Sequence, residues 1–314
     1  MIRFYHKNQN QVIKIAEESE IKFSDDLIWV DLCQSTDEEI ESVENVFNVE
    51  FLTRQKQTEI EISSRYMETI NHITANINFL EYRNAHYVHV PVTFIVKDNV
   101  LFTHRESDIK AFADTVRRIK TNYNLFSKWS EVLLYILETR IDSDADQIEQ
   151  LSRDTTVLGR ELSLARNPNS HMLINLSDMQ EIAMMMRESI IDKQRVVSAM
   201  LKSSKFNEND IARLRIIIKD IASVLGHIDF NFERLEYIQN TLLGLISIEQ
   251  NKIIKIFTVA SLIFMPPTLI ASIYGMNFHN MPEISMKYGY PFSIVLMIIS
   301  ILSTLFIFKR NKWL

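Results

Sequence analysis

From Ile256 to Tyr274 the chain carries no charged residue, long enough for the roughly 20-residue helix that crosses a bilayer. The run ends abruptly at Tyr274-Gly275-Met276-Asn277, a polar loop follows, and a second apolar run extends from Phe292 to Phe308. A chain with two such segments near its C-terminus, behind a polar portion more than twice their size, has few folds open to it. Both segments are expected to be membrane helices and the remainder a folded domain beside the membrane.

The basic residues orient the spans. Lys252 and Lys255 flank the start of the first, and Lys309, Arg310 and Lys312 follow the second, while the loop between them holds only Lys287. The excess of Lys and Arg on the cytoplasmic side places both termini in the cytosol and the Gly275–Pro291 loop outside. About 16 residues are too few for a domain that folds alone, so the loop cannot house an external receptor domain.

Composition narrows the functions. The net charge is −6 with no Lys/Arg-rich face, which gives nucleic-acid binding little support. One cysteine, Cys33, cannot close an intrachain disulfide and suits a reducing compartment. Residues 1–20 have no apolar core of a cleavable signal. The five glycines, at 159, 226, 244, 275 and 289, form neither G-x-x-x-x-G-K-[ST] nor G-x-G-x-x-G. The usual phosphate cradles of nucleotide hydrolysis are therefore missing. No H-E-x-x-H or nucleophile elbow occurs, so the chain is not expected to be an enzyme, and no organic cofactor is implied.

Along the chain, residues 1–125 read as mixed α/β. Strands are expected at 1–5, 27–32, 67–77 and 87–94, with a hairpin 92–104 turning on Lys97-Asp98-Asn99. Ser35-Thr36-Asp37-Glu38-Glu39 caps a helix to about Phe47, and another helix covers 107–120. Residues 126–206 read as two amphipathic helices, 130–165 and 178–203, separated by Asn167-Pro168-Asn169-Ser170. An acidic stretch, Glu138, Asp142, Asp144, Asp146 and Glu149, lies on the first.

After Asn207-Glu208-Asn209-Asp210, apolar residues recur at 211, 214, 218, 221, 225, 228, 232, 235, 242 and 246. Alternating threes and fours make a heptad seam, and it enters the first span unbroken. Residues 207–274 therefore read as one stalk helix continuing into a membrane helix from about 253, on the order of 100 Å long. Its stripe must pack on copies of itself, on the preceding helices, or on both.

The loop carries a resemblance. Tyr274-Gly275-Met276-Asn277-Phe278, Met281-Pro282-Glu283, Met265-Pro266, Tyr288-Gly289-Tyr290-Pro291 and the tail Lys309-Arg310-Asn311-Lys312-Trp313-Leu314 together resemble the CorA family of divalent-cation channels. The close match covers about the last quarter of the chain; the rest agrees in the order of its elements. The resemblance implies an α+β cytosolic domain followed by long helices and a two-helix transmembrane region. It implies a funnel-shaped homo-oligomer, a homopentamer, in the cell membrane, with the bilayer and divalent cations as partners.

By that resemblance Gly275, Met276 and Asn277 form a selectivity filter on a five-fold axis. The chemistry fits: Mg²⁺ dehydrates reluctantly, and a ring of neutral amide oxygens holds hydrated ions without the tight binding of a carboxylate ring. On residues alone, Gly-Met-Asn reads rather as a helix end with an Asn cap. Asn251, Ile254, Thr258, Ser261, Met265, Thr268 and Ser272 resemble the pore-lining positions. Asn251 would be a polar ring, Ile254 and Met265 hydrophobic constrictions, and Thr268 a hydroxyl donor; packing on the second span is the plainer alternative. The family often has glycine at Ser272 and one proline where this chain has Pro266-Pro267.

Glu283, in the outer loop, either concentrates cations near the mouth or is a solvated loop charge, and His279 carries no assigned role. The family senses cytosolic Mg²⁺ through carboxylates, and Asp210, Asp220 and Asp229 are the candidates here, although most acidic residues on long helices are a solvated face. His86 and His89, three apart in a strand, point to opposite faces, and Met184-Met185-Met186 reads as packing. The resemblance implies potential-driven influx of Mg²⁺, with Co²⁺ and Ni²⁺ as further cargo, and Mg²⁺ as both transported and regulatory ion. A zinc transporter of the same superfamily is the alternative, and a membrane-anchored receptor, scaffold or tethered enzyme belongs to another class.

Overall fold

The structure, a computed structural model, describes residues 1–7, 26–51, 65–84, 86–122, 126–164, 170–276 and 281–311. The chain divides between Gln239 and Asn240 into two compact units.

The first unit is built on one six-stranded sheet: β1 (Ile2–His6), β2 (Leu27–Cys33), β3 (Tyr66–Glu68), β4 (His72–Arg83), β5 (His86–Lys97) and β6 (Val100–Arg105). Their spatial order is β1-β2-β6-β5-β4-β3, with β2 and β6 parallel and the other neighbours antiparallel. Every residue of β2 is buried, as expected of a strand covered on both faces. The helix α1 (Asp37–Phe47) packs Val43 and Phe47 with Phe4, Val30, Leu32 and Phe102. Its N-terminus closes by a capping box, Thr36 Oγ1 accepting from Glu39 N and Glu39 Oε2 from Thr36 N. The opposite face carries Trp29, Phe79 and Phe94, which meet Phe112 of α2 (Lys110–Thr121).

The expected hairpin turn is present: Asp98 and Asn99 take φ of 48° and 63° between β5 and β6, the pair of left-handed residues that a two-residue hairpin loop requires. The expected strand 67–77 is instead two, β3 and β4. Thr69 N donates to His72 O at 2.9 Å and Ile70 stands 97 % exposed at the turn. The strands expected at 87–94 and 92–96 are one, β5.

Two helices, α3 (Trp129–Leu164) and α4 (Ser170–Met200), follow. The first was expected at 130–165; the break at 165–169 lies outside the described residues. The second starts eight residues before Asp178, because its buried stripe already includes Leu176 and runs on through Ala183, Met186, Ile190 and Val197. Asp178 is therefore a residue of the helix interior and not a cap.

Next comes α5 (Glu208–Tyr274), opened by Asn207, whose Oδ1 accepts from Asp210 N at 2.9 Å while Asp210 Oδ2 accepts from Asn207 N at 3.3 Å. In the first unit its buried stripe is Leu214, Ile217, Ile221, Val224, Ile228, Leu235 and Ile238. This corrects half of the expected seam: 214, 221, 228 and 235 are inside, but 217, 224 and 231 are buried where 218, 225 and 232 were expected, and Ile238 joins them. The stripe faces the preceding helices. Arg213 pairs with Glu138 of α3 at 2.7 Å, and Arg187 of α4 with Asp229 at 2.9 Å.

The second unit holds the rest of α5, a short helix α6 (Pro282–Ser285) and α7 (Gly289–Arg310). The C-terminal helix begins three residues before the expected 292. Pro291 is its third residue, where a missing N–H costs nothing because first-turn donors have no helical partner.

Candidate functional site: the apolar helices and their loop

Both apolar helices are long enough to cross a membrane, and only 6 % of each most apolar window is buried. Ile254, Phe257, Phe264 and Leu269 are each at least 60 % exposed. So large an apolar surface must be covered by lipid or by other chains.

Along α5, Asn251, Ile254, Thr258, Ser261, Met265, Thr268 and Ser272 are all exposed, and their alternating three- and four-residue spacing puts them on one helical face. A single chain does not bring them together. Thr268 Oγ1 donates to Phe264 O at 2.7 Å, which leaves its oxygen lone pairs, and not its proton, to the surroundings. Pro266 and Pro267 lie inside the helix. Neither can donate to the carbonyls of Leu262 and Ile263, so two acceptors in the middle of an apolar segment lack their helical N–H.

At the end of α5, Gly275 N donates to Ala271 O at 2.9 Å and Met276 N to Ile273 O at 3.2 Å. No glycine has positive φ, so Gly275 makes no left-handed turn here. What Gly275 supplies is room: a Cβ would stand 3.1 Å from Ala271 O. Met276 is 47 % exposed. Asn277, Phe278 and His279 lie outside the described residues, as do Lys312, Trp313 and Leu314.

Sequence reasoning missed α6, whose Pro282 occupies the first helical position. Glu283 is exposed on it. Gly289 fits against its backbone so closely that a Cβ would fall 2.0 Å from Glu283 O. The dipeptide Tyr288-Gly289 gave no hint of this, because the contact is made across the loop.

In the first unit the three aspartates considered for sensing have different surroundings. Asp210 is buried in its cap, and Asp229 accepts from Arg187. Asp220 lies close enough to Asp142 of α3 to matter electrically: burial first, then the charges of Asp220, Glu138 and Asp146, push the Asp142 carboxyl above its usual range. Asp144, read as part of the same acidic stretch, is a core residue. Its carboxylate accepts from Arg140 Nε at 2.8 Å and stands 3.0 Å from Lys193 Nζ. Among the described residues no group of three or more His, Cys, Asp or Glu is arranged to hold a metal.

An α/β unit carrying long helices, continued by two exposed apolar helices around a short loop, defines a two-span membrane protein. The family model for the CorA-like Mg2+ transporter protein matches residues 24–310. The magnesium transport protein CorA of Wolinella succinogenes is 37 % identical, over 92 % of this chain and 91 % of its own. That of Campylobacter jejuni strain RM1221 is 35 % identical over the whole of both. The complete structure of the CorA magnesium transporter from Methanocaldococcus jannaschii superposes with a TM-score of 0.83 at 20 % identity, covering 100 % of this chain and 99 % of that one. The chain belongs to the CorA-like Mg2+ transporter family, and is thereby a membrane protein.

Proposed function

We propose that this chain is one subunit of a homopentameric channel that admits Mg²⁺ to the cell down the membrane potential. The observation that carries the reading is the exposed face of α5 from Asn251 to Ser272, which only neighbouring copies can turn into a closed passage. Gly275, Met276 and Asn277 crown it, with Asn277 offering amide oxygens to hydrated ions. Ile254 and Met265 form the constrictions, where a narrow apolar ring closes by dewetting. The relatives named magnesium transport protein CorA, matched over essentially their whole length, support Mg²⁺ as cargo.

The basic residues at both span ends support cytosolic termini and an external loop. With that orientation each divalent ion gains about 4.6 kcal/mol per 100 mV, twice the value for one charge. Glu283 on α6 faces the incoming ions and raises their local concentration. Cytosolic Mg²⁺ acts on the pore through α5, and the charge of Asp220 beside Asp142 is the feature that supports it: a divalent cation there would relieve the repulsion. Asp210 and Asp229 are already engaged by protein partners. Co²⁺ and Ni²⁺ share the octahedral hydrated geometry and are further cargo.

The test is uptake by the purified chain in liposomes under an inward-negative potential, with Zn²⁺ as competitor. Mg²⁺ uptake that an equal concentration of Zn²⁺ leaves largely intact supports the proposal. Zn²⁺ uptake without Mg²⁺ uptake would replace it with the zinc-transporter reading, and no uptake of either would remove channels altogether.

A further inference from the structure

A groove of ≈ 530 Å³ in the first unit separates α3 from α5, well within the size of small-ligand sites. Arg160 enters it from α3 and Arg234 from α5. Of the other arginines on these two helices, Arg140, Arg153 and Arg213 each meet a carboxylate. Arg160 and Arg234 form no such ion pair among the described residues, and no Asp or Glu among them lines the groove.

Arg234 is half-buried, and its Nη1 donates to Thr156 Oγ1 at 3.0 Å. That hydroxyl is itself committed to Ser152 O at 2.8 Å. The contact thus aims the guanidinium without neutralising it, leaving its remaining N–H groups for something else. Withdrawing a cation partly from water against a neutral partner is unfavourable, and two cations in one groove repel each other. An anion relieves both.

The rest of the groove describes the anion's body. Ile238 is 4 % exposed and forms an apolar floor beside Gly159, while Tyr237 is 72 % exposed at the rim. Guanidinium forks match phosphate oxygens bidentately, and an exposed aromatic face is a stacking platform for a flat ring.

We infer that the α3–α5 groove binds a phosphate-bearing ligand with a planar ring, of the nucleoside diphosphate class, its phosphates on Arg160 and Arg234 and its ring on Tyr237. This site needs no glycine-rich loop, because side-chain forks take the place of backbone N–H groups. It stands apart from ion conduction, and either can fail alone. Because α5 also carries the pore face, occupancy of the groove would couple a phosphorylated metabolite to the helix that conducts.

The experiment is calorimetric titration of ADP, with EDTA present, into the full-length protein in detergent at low salt. Saturable binding with a Kd below about 1 mM is expected, worth about 4 kcal/mol. Arg160→Gln and Arg234→Gln should each weaken it about tenfold. Tyr237→Ala should weaken ADP while leaving inorganic pyrophosphate unchanged, and Arg153→Gln, whose cation is paired with Glu149 outside the groove, should change nothing. An unaltered elution volume shows that each variant retains its assembly; Arg160→Lys and Arg234→Lys should restore part of the affinity. Absence of saturable ADP binding overturns the proposal, as does binding indifferent to both arginines. Binding of phosphatidylglycerol vesicles through these arginines without ADP binding would assign the groove to lipid headgroups instead.

Discussion

Gly289 and Glu283 are in backbone contact across the loop between the two apolar helices: a Cβ at position 289 would lie 2.0 Å from the Glu283 carbonyl oxygen. The first turn of α7 is thereby pressed onto α6, the helix that carries Glu283. Gly289→Ala must part the two segments, and overpacking of this kind costs about 1–3 kcal/mol. The expected result is a several-fold higher ion concentration for half-maximal uptake. Glu283→Gln should do the same, and the double variant no more than either, because one displaces the carboxylate that the other neutralises. Additive effects would separate the two residues.

A titration is built into the core. Lys193 is fully buried at a stripe position of α4, and burial, opposed by nearby Asp144, pushes its amine down to about 8. In the unfolded chain it titrates near 10.4. Between those values the unfolded chain holds the proton more tightly, so stability rises with pH from about 8 to about 10.4, and the full cost of the buried cation is present below 8. Thermal melts of wild type and Lys193→Met in the same detergent should diverge in slope across that window, wild type gaining relative to the variant. Parallel curves would contradict the assignment.

Arg105 and Asp31 lie 2.9 Å apart with both side chains at 0 % exposure. Thr103 Oγ1 also donates to Asp31, and Trp29 Nε1 to Thr103, so the sheet core is tied through one carboxylate. Asp31→Ala removes the buried counter-ion of Arg105 and leaves only the exposed Asp108 carboxylate at 3.1 Å, a loss of about 3 kcal/mol. Denaturant unfolding followed by Trp29 fluorescence measures it; a loss below about 1 kcal/mol would mean that water reaches Arg105.

Mg²⁺ should stabilise the first unit through Asp142 and Asp220. At ten times its Kd the ion contributes about 1.4 kcal/mol, seen as a rise in melting temperature that Ca²⁺-free, Mg²⁺-free buffer abolishes. Asp220→Asn should remove most of the rise and bring the Asp142 carboxyl back toward its usual range. Retention of the whole rise would move sensing elsewhere.

Much of this was readable from the chain, for reasons that differ by region. The absence of charge between Ile256 and Tyr274 signals a span whatever surrounds it, and Thr36 with Glu39 marks a helix start locally. The stalk seam was half readable. Leu214, Ile221, Val224, Leu225 and Ile228 show why: the chain carries apolar residues at both the third and fourth positions, Ile217 beside Ile218 and Val224 beside Leu225. Periodicity cannot choose between such neighbours; α3 and α4 choose, burying Ile217 and Val224. Asp144 and Lys193 were illegible because each looks like a solvated charge until its partner, 49 positions away, is known. The closeness of Gly289 to Glu283 likewise exists only once the loop has folded.

The most direct measurement of the central claim is Mg²⁺ flux into liposomes carrying the wild-type chain and Asn277→Ala at a fixed inward-negative potential, with subunit number determined on the same preparations. The account predicts pentamers in both, rapid uptake in wild type, and loss of most Mg²⁺ uptake or of selectivity in Asn277→Ala. Wild-type uptake by monomers, or unchanged Mg²⁺ uptake and selectivity without the amide, would contradict it.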